Sequence, residues 1–126
     1  MKADNETLNV LGTPLKACCF SPMTGVFRDG YCKTNAFDLG THTVCAQVTT
    51  AFLQFSLEQG NDLITPIPMY NFPGLKDGDS WCVCATWYAR AIEEGAACQV
   101  YLKKTNVKTL ELIPIEKLKK FALDLS

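Results

Sequence analysis

The residues best suited to chemistry in this chain are its seven cysteines and its single histidine. His42 and Cys45 stand three residues apart in a stretch that reads as the start of a helix, a spacing that places two metal ligands on one face. A helix N-terminus would also favour the thiolate form of Cys45. The alternative interpretation is that Cys45 packs as a small apolar side chain and that His42 is an ordinary hydrogen-bonded polar residue.

The remaining cysteines give a weaker metal signal. Cys82 and Cys84 lie two residues apart, which points their sulfurs to different sides of a helix. The chain also lacks the C-x2-C pairs that are typical of zinc sites. Core packing of the thiols, and catalysis by one cysteine with His42 as its base, are the alternatives. The candidate metal ligands, with zinc or iron as the ion, are Cys18, Cys32, His42, Cys45, Cys82 and Cys84.

Polar corners next to glycines form a second candidate site. Asn61 and Asp62 follow Gly60, and their oxygen atoms could hold an ion or a small ligand. Turn formation and helix capping explain the same residue types. The only two arginines, Arg28 and Arg90, are candidates for anion recognition, with structural roles as the alternative. The candidate ligand-binding residues are Asn61, Asp62, Asp79 and Trp81.

Two long helices would position these groups. The first runs through His42 to Gly60, beginning near Thr41 or Thr43 and ending at Gly60. Its predicted apolar stripe consists of Val44, Val48, Ala51, Phe52 and Phe55. The second covers Trp81 to Glu94, after the capping run Asp77 to Ser80, and stops at Gly95.

Shorter elements complete the prediction. Alternation from Cys98 to Leu102 indicates a half-buried strand, with Leu110 and Leu112 on a second strand that pairs back. Asp29-Gly30 suggests a tight hairpin, residues 7–12 a short extended segment, and the prolines of residues 64–76 a long loop. Pro114 would open a last helix with a stripe of Ile115, Leu118, Phe121, Ala122 and Leu125. These elements predict an α+β fold in one domain, residues 1–126, with about three helices on a small, mostly antiparallel sheet.

Composition limits the function classes. A net charge of -1 offers no field that would attract nucleic acid or an anionic membrane, so neither is expected as a partner. The N-terminus lacks an apolar run of signal-peptide length, and no segment has the length of a membrane span. We therefore expect a cytoplasmic protein, in which cysteines are thiols, ligands or packing residues rather than disulfides.

Several segments carry a resemblance across most of the chain. They are NVLG at Asn9–Gly12, Cys18, TGVFRDGYC at Thr24–Cys32, D-x-G at Asp38–Gly40, HTVCA at His42–Ala46, FL at Phe52–Leu53, GNDL at Gly60–Leu63, Pro66, FPGL at Phe72–Leu75, GD-x-WC-x-CA at Gly78–Ala85 and V-x-L at Val100–Leu102. In these the chain resembles a small, mostly bacterial family of unknown function. The resemblance implies no activity. The chain departs from the family pattern at Trp87-Tyr88, Cys98 and Asn106, where relatives carry Arg-Trp, proline and histidine.

No motif in the sequence identifies a reaction, and whether the protein is an enzyme stays open. The preferred hypothesis is a binding module for a small ligand or metal, built where the cysteines and His42 converge on the GNDL corner. A small thiol enzyme that uses one cysteine with His42 is the second hypothesis. The third is a structural or interaction protein, such as a homodimer joined through an exposed strand edge.

Overall fold

The structure, a computed structural model, describes residues 7–125. Within that range the α+β prediction is confirmed, with three helices and a three-stranded antiparallel sheet. The elements are β1 (Val44–Gln47), α1 (Thr50–Glu58), β2 (Ser80–Val83), α2 (Ala85–Glu93), β3 (Gln99–Val100) and α3 (Ile115–Lys119). Short 3-10 turns cover Pro68–Tyr70, Leu102–Lys104 and Val107–Glu111. Residues 1–6 lie outside the described range. They include part of the segment for which the sequence predicts no signal-peptide-like apolar run.

The sheet is small, and both of its faces are covered. Its strand order is β2-β1-β3, and Cys45 of β1 stands opposite Cys82 of β2. Because side chains alternate along a strand, Val44 and Ala46 project to the opposite face from Cys45. That face belongs to the main core with Phe52, Tyr88 and other buried residues of the helices. The cysteine face is covered by the chain before β1.

The prediction of one helix from His42 to Gly60 is wrong in its first half. Val44, Cys45 and Ala46 are all fully buried, whereas one face of a helix would bury only every third or fourth of them. Such a continuous apolar run is typical of a strand covered on both faces. The helix is therefore α1 alone. Its cap is Thr49, not Thr41 or Thr43, and the predicted stop at Gly60 is borne out by a φ of +93°.

The same error recurs in the second predicted helix. Trp81, Cys82 and Val83 are buried in succession and form β2, so α2 begins only at Ala85, with Cys84 as its N-cap. The stop at Gly95, which has a φ of +73°, is borne out. In both places glycine marks the helix end because it tolerates positive φ.

The predicted strands after α2 and the predicted extended segments before β1 are found only in part. β3 covers just Gln99–Val100, and the region of Leu110 and Leu112 is a 3-10 turn instead of a strand. The Asp29-Gly30 segment turns as expected but has no flanking strands, and residues 7–12 contribute only isolated bridges. The proline-rich loop is extended apart from its 3-10 turn. The last helix begins after Pro114 and is short: Leu118 is fully buried, whereas Leu125 is 44% exposed.

Candidate functional site

Four of the candidate cysteines meet in one buried cluster, each at most 5% exposed. Cys18 is bonded to Cys45 and Cys32 to Cys82, with Cα–Cα distances of 5.6 and 5.2 Å. One disulfide thus joins the segment before β1 to β1, and the other joins that same segment to β2. The expectation that the cysteines are thiols is wrong for these four residues, because their sulfur atoms are paired. It holds for Cys19, Cys84 and Cys98, which are free.

Buried threonines complete the polar bonding around the disulfides. The backbone N–H of Cys82 donates to the hydroxyl of Thr24 over 2.8 Å, and that of Cys45 donates to the hydroxyl of Thr105 over 3.1 Å. Both threonines are fully buried. Because a buried N–H without a partner destabilises the fold, these hydroxyls replace sheet hydrogen bonds where a neighbouring strand is missing. The backbone N–H groups of the two strand cysteines in the cluster therefore both have a hydrogen-bond acceptor.

His42 does not join the cysteine cluster as a ligand; it pairs with Asp38. The two side chains approach to 2.6 Å between Nδ1 and Oδ1, and the backbone N–H of His42 donates to Oδ2 of the same carboxylate. Burial alone would raise the pKa of Asp38, but the hydrogen bonds from His42 and from the Thr34 hydroxyl outweigh it and hold that pKa below its usual value. The carboxylate is 5% exposed and the imidazole 41%, so the pair presents only the ring to solvent.

Cys84 is also outside the cluster and lies, like the imidazole of His42, next to Gly40. Its thiol donates to the carbonyl of Gly40 over 2.8 Å and lies 2.9 Å from the hydroxyl of Thr86. A Cβ at Gly40 would lie 2.7 Å from Sγ of Cys84 and 3.2 Å from Cε1 of His42. A side chain at Gly40 would therefore crowd both the thiol and the imidazole, which lie close to each other around this glycine.

A cleft of about 600 Å³ includes His42 among its lining residues. It lies between the turn around Arg28, the GNDL corner and the proline-rich loop. We call it the Arg28 cleft and define it by Arg28, His42, Asn61, Asp62, Tyr70 and Trp81. Three of the four predicted ligand-binding residues line it. The fourth, Asp79, does not: its carboxylate accepts from the backbone N–H of Lys76 and lies 3.7 Å from that residue's Nζ.

Asp62 lines the rim of the cleft and has turn bonds of its own. Its Oδ1 accepts from the backbone N–H groups of Ile64 and Thr65 at 2.8 and 3.0 Å. These hydrogen bonds, first of all those with Thr65, lower the pKa of Asp62. The turn role that the sequence offered as the alternative is therefore present, and the carboxylate remains charged beside the cleft.

Arg28 is the cationic group of the cleft, and its side chain is fixed in orientation. It donates from Nη1 to the carbonyl of Gly25 over 2.6 Å, from Nη2 to Tyr70 over 2.8 Å and from Nε to Asn71 over 3.4 Å. The guanidinium stacks on Trp81, 5.1 Å from the ring centroid. Sequence reasoning weighed Arg28 for anion recognition without choosing it. Two of its three carbonyl acceptors belong to residues more than 40 positions away, so no local signal could have identified those contacts.

The family resemblance predicted from the sequence is confirmed by comparison with known families. Residues 8–122 match the family described as "uncharacterized protein conserved in bacteria (DUF2237)", and the chain belongs to that family. The family's function is unknown, so membership supplies no reaction. No curated protein matches the chain. In the part of the chain from residue 7 to 125, no helix has the length and apolarity of a membrane-spanning segment.

Proposed function

We propose that the protein binds a small molecule carrying an oxyanion group, a carboxylate or a phosphate, in the Arg28 cleft. The observation that carries the proposal is an arginine fixed at the wall of a concave site without a carboxylate partner. Among residues 7–125, none of the ion pairs within 4.0 Å includes Arg28. Its three protein acceptors are carbonyls, which carry no net charge to neutralise it.

The geometry of the guanidinium leaves donors for a ligand. Arginine has five N–H groups, and the three carbonyls occupy three of them. One N–H on each Nη is left, which matches the paired oxygens of a carboxylate or phosphate. The three carbonyls also restrict rotation of the side chain, so little further order is required when a ligand binds.

The electrostatics of the cleft favour an anion. Desolvation by partial burial lowers the pKa of Arg28, so its charged form has lost part of its hydration in the cleft. Stacking on Trp81 returns part of the lost solvation, and a ligand anion would return more. Asp62 sets a negative charge at the rim, which favours a ligand with a donor group besides its oxyanion.

The size and lining of the cleft fit a small metabolite. Its volume of about 600 Å³ is within the range of about 300–1,000 Å³ typical of small-molecule sites. Phe72 and Leu63 supply apolar wall, and Asn61 and His42 supply polar groups. The site is thus of mixed character, as expected for a ligand with a charged end and a less polar body.

The test is a titration of the protein with orthophosphate and succinate, and with succinamide as the neutral analogue. Wild type is compared with Arg28→Lys, which keeps the charge but loses the fork of donors. Arg90→Lys is the matched control, because Arg90 also stacks on a tryptophan, at 5.3 Å, but outside the cleft. We expect the oxyanion probes to raise Tm in wild type and Arg90→Lys and to do so at least about tenfold more weakly in Arg28→Lys. Equal response of Arg28→Lys, or equal binding of succinamide, would overturn the proposal.

A second candidate function rests on the cysteine cluster. The sulfurs of Cys18, Cys32 and Cys82 lie within 4.8 Å of one another, and Cys45 is bonded to one of them. We propose the cytoplasm as the setting of the protein, where glutathione and dithiols keep cysteines reduced. Reduction of the two disulfides, with four electrons and four protons, would leave four buried thiols. As thiolates they are a ligand set for zinc, which requires sulfurs about 3.8 Å apart.

Zinc content after anaerobic reduction tests this second function. The oxidised chain should take up no zinc at the cluster, because sulfur in a disulfide is not a thiolate. The reduced chain should take up one zinc, and Cys45→Ser should weaken that binding, whereas Cys98→Ala, outside the cluster, should not. A reduced chain that takes up no zinc, or a Cys45→Ser variant with unchanged affinity, would contradict it.

A further inference from the structure

Outside the cysteine cluster, the structure pairs the imidazole of His42 with a carboxylate and places the thiol of Cys84 near that imidazole, around Gly40. We propose that Cys84 is a nucleophile for acyl transfer, with His42 as its base and Asp38 as the residue that positions His42. The substrate class is an activated acyl compound, an ester or a thioester. The inference does not depend on anion binding by Arg28, since it rests on other side chains. His42 is the residue that this site shares with the Arg28 cleft.

The contact with Asp38 determines which nitrogen of His42 is free. An ionised carboxylate can only accept, so Nδ1 of the neutral ring carries the proton it donates to Oδ1. Nε2 is then left with the lone pair that a base needs. The backbone N–H of His42 and the hydroxyl of Thr34 also donate to this carboxylate, and they fix its orientation. This is the relation between base and orienting group seen in nucleophilic triads.

The spacing between the thiol and the ring depends on Gly40. A side chain at this position would overlap Sγ of Cys84 and press on the imidazole. The three groups do not surround a point, because the one set of possible metal ligands that converges within 4.8 Å in residues 7–125 is Cys18, Cys32 and Cys82. A thiol near an imidazole that is paired with a carboxylate is suited to proton transfer rather than to metal binding. In the structure the thiol bonds to the Gly40 carbonyl, so it must rotate toward Nε2 before it reacts.

The start of α2 supplies groups that could stabilise an oxyanion. Cys84 is the N-cap of this nine-residue helix and has no side-chain capping bond. The backbone N–H groups of Thr86 and Trp87 find no protein acceptor among residues 7–125. Free N–H groups at the first turn, next to the sulfur, are the usual donors to the oxygen of a tetrahedral acyl intermediate. Together with the thiol and its base, they indicate acyl transfer.

The step is balanced within the chain and its substrate. The S–H bond of Cys84 breaks as the proton passes to Nε2 of His42, and the sulfur forms a bond to the acyl carbon. The ester C–O or thioester C–S bond then breaks, and the leaving alcohol or thiol takes the proton from His42. In the second half, His42 takes a proton from water or another nucleophile as that nucleophile bonds to the acyl carbon. The acyl C–S bond then breaks, and Sγ of Cys84 takes the proton from His42, which restores the thiol.

The experiment measures acylation of the oxidised full-length protein by p-nitrophenyl acetate, with p-nitrophenolate release and mass-spectrometric location of the acetyl group. Cys19, the other partly buried free cysteine, serves as the matched control. We expect acetyl on Cys84 at a rate at least about tenfold above that on Cys19. Cys84→Ala should abolish the fast phase and Cys19→Ala should leave it unchanged. Equal rates at the two cysteines would overturn the proposal.

Further variants separate the base from a structural role. His42→Ala should slow acylation of Cys84 by about 10²-fold or more, and added imidazole should restore part of the rate. Asp38→Asn should slow the reaction less, and it should change the pH profile of the rate rather than only its size. Unchanged rates in both variants, or a folded His42→Ala protein that imidazole does not rescue, would remove His42 from the role of base.

Discussion

Removing the disulfide between Cys32 and Cys82 should cost more stability than removing the one between Cys18 and Cys45. A cross-link stabilises a fold mainly by restricting the unfolded chain, and the effect grows with the length of the closed loop. The sequence separations are 50 and 27 residues. The chain-entropy estimate is about 4 kcal/mol for the longer loop and about 3.5 kcal/mol for the shorter one. Because the two loops interleave, reduction of both should cost less than the sum.

The assay is urea unfolding at pH 7 of wild type, Cys32→Ala/Cys82→Ala and Cys18→Ala/Cys45→Ala, each without reductant. Alanine avoids a buried unpaired hydroxyl, and the small voids it leaves add to the loss. Cys19→Ala, at a free cysteine, is the control and should change the free energy of unfolding by less than about 0.5 kcal/mol. A thiol assay of the unfolded, unreduced chain should count the three free cysteines.

Two results would refute this reasoning. If the unfolded, unreduced protein shows all seven of its cysteines as thiols, the disulfides do not form. If the thiol count is three but neither double variant loses more than about 1 kcal/mol, the cross-links do not restrict the unfolded chain as the loop model requires.

Three further predictions concern single residues. The pKa of Asp38 is lowered on folding, so its ionised form stabilises the fold above about pH 4 and loses that effect as pH falls through the folded value. In urea unfolding, the free energy of unfolding should therefore be larger for wild type than for Asp38→Asn at pH 7, and this difference should disappear at pH 2. Burial raises the pKa of Cys98 to about 12, so the neutral thiol of Cys98 contributes fully to stability below about pH 9, and this contribution is lost as pH rises toward 12. The free energy of unfolding should therefore fall more steeply above pH 9 in wild type than in Cys98→Ala. The hydroxyl of Thr49 accepts from the backbone N–H of Phe52 over 3.1 Å at the start of α1, so thermal unfolding should show a loss of about 1 kcal/mol in Thr49→Ala.

The fold class could be predicted from the sequence because apolar stripes and glycine stops mark the helices. Gly60 and Gly95 end α1 and α2 as expected, since only residues that tolerate positive φ continue the chain there. The first two strands, β1 and β2, were missed for one shared reason. β1 and β2 are buried on both faces, so they lack the alternation that separates a strand from a helix.

The candidate site could be predicted in composition but not in arrangement. The sequence places Cys18 and Cys45, or Cys32 and Cys82, far apart, and only the pairing of β1 with β2 brings the four together. His42 and Cys84 were assigned to this cluster, but the local contacts of His42 with Asp38 and of Cys84 with Gly40 hold both of them outside it. Carboxylate and imidazole four residues apart is a signal that sequence reasoning could have used.

The ligand cleft shows the same limit. Of the four candidate ligand-binding residues, Asn61, Asp62 and Trp81 line one cleft and Asp79 does not, and ligand binding by any of them stays a prediction. The side chain of Arg28 is oriented in the cleft by hydrogen bonds to two carbonyls of the proline-rich loop. Because this loop has no periodic pattern, the sequence does not indicate where it packs. A homodimer joined through a strand edge stays a prediction, and so does the absence of nucleic-acid and membrane partners.

The most direct test of the ligand-binding proposal is to observe the side-chain Nε–H signals of the two arginines by NMR during titration with succinate or orthophosphate. Arg28 and Arg90 are the only arginines in the chain, so each signal can be assigned with one Arg→Lys variant. Binding in the cleft predicts a saturable shift of the Arg28 signal while that of Arg90 stays in place. Parallel, non-saturating shifts of both signals, or no shift of Arg28, would contradict the role of the cleft as an oxyanion site.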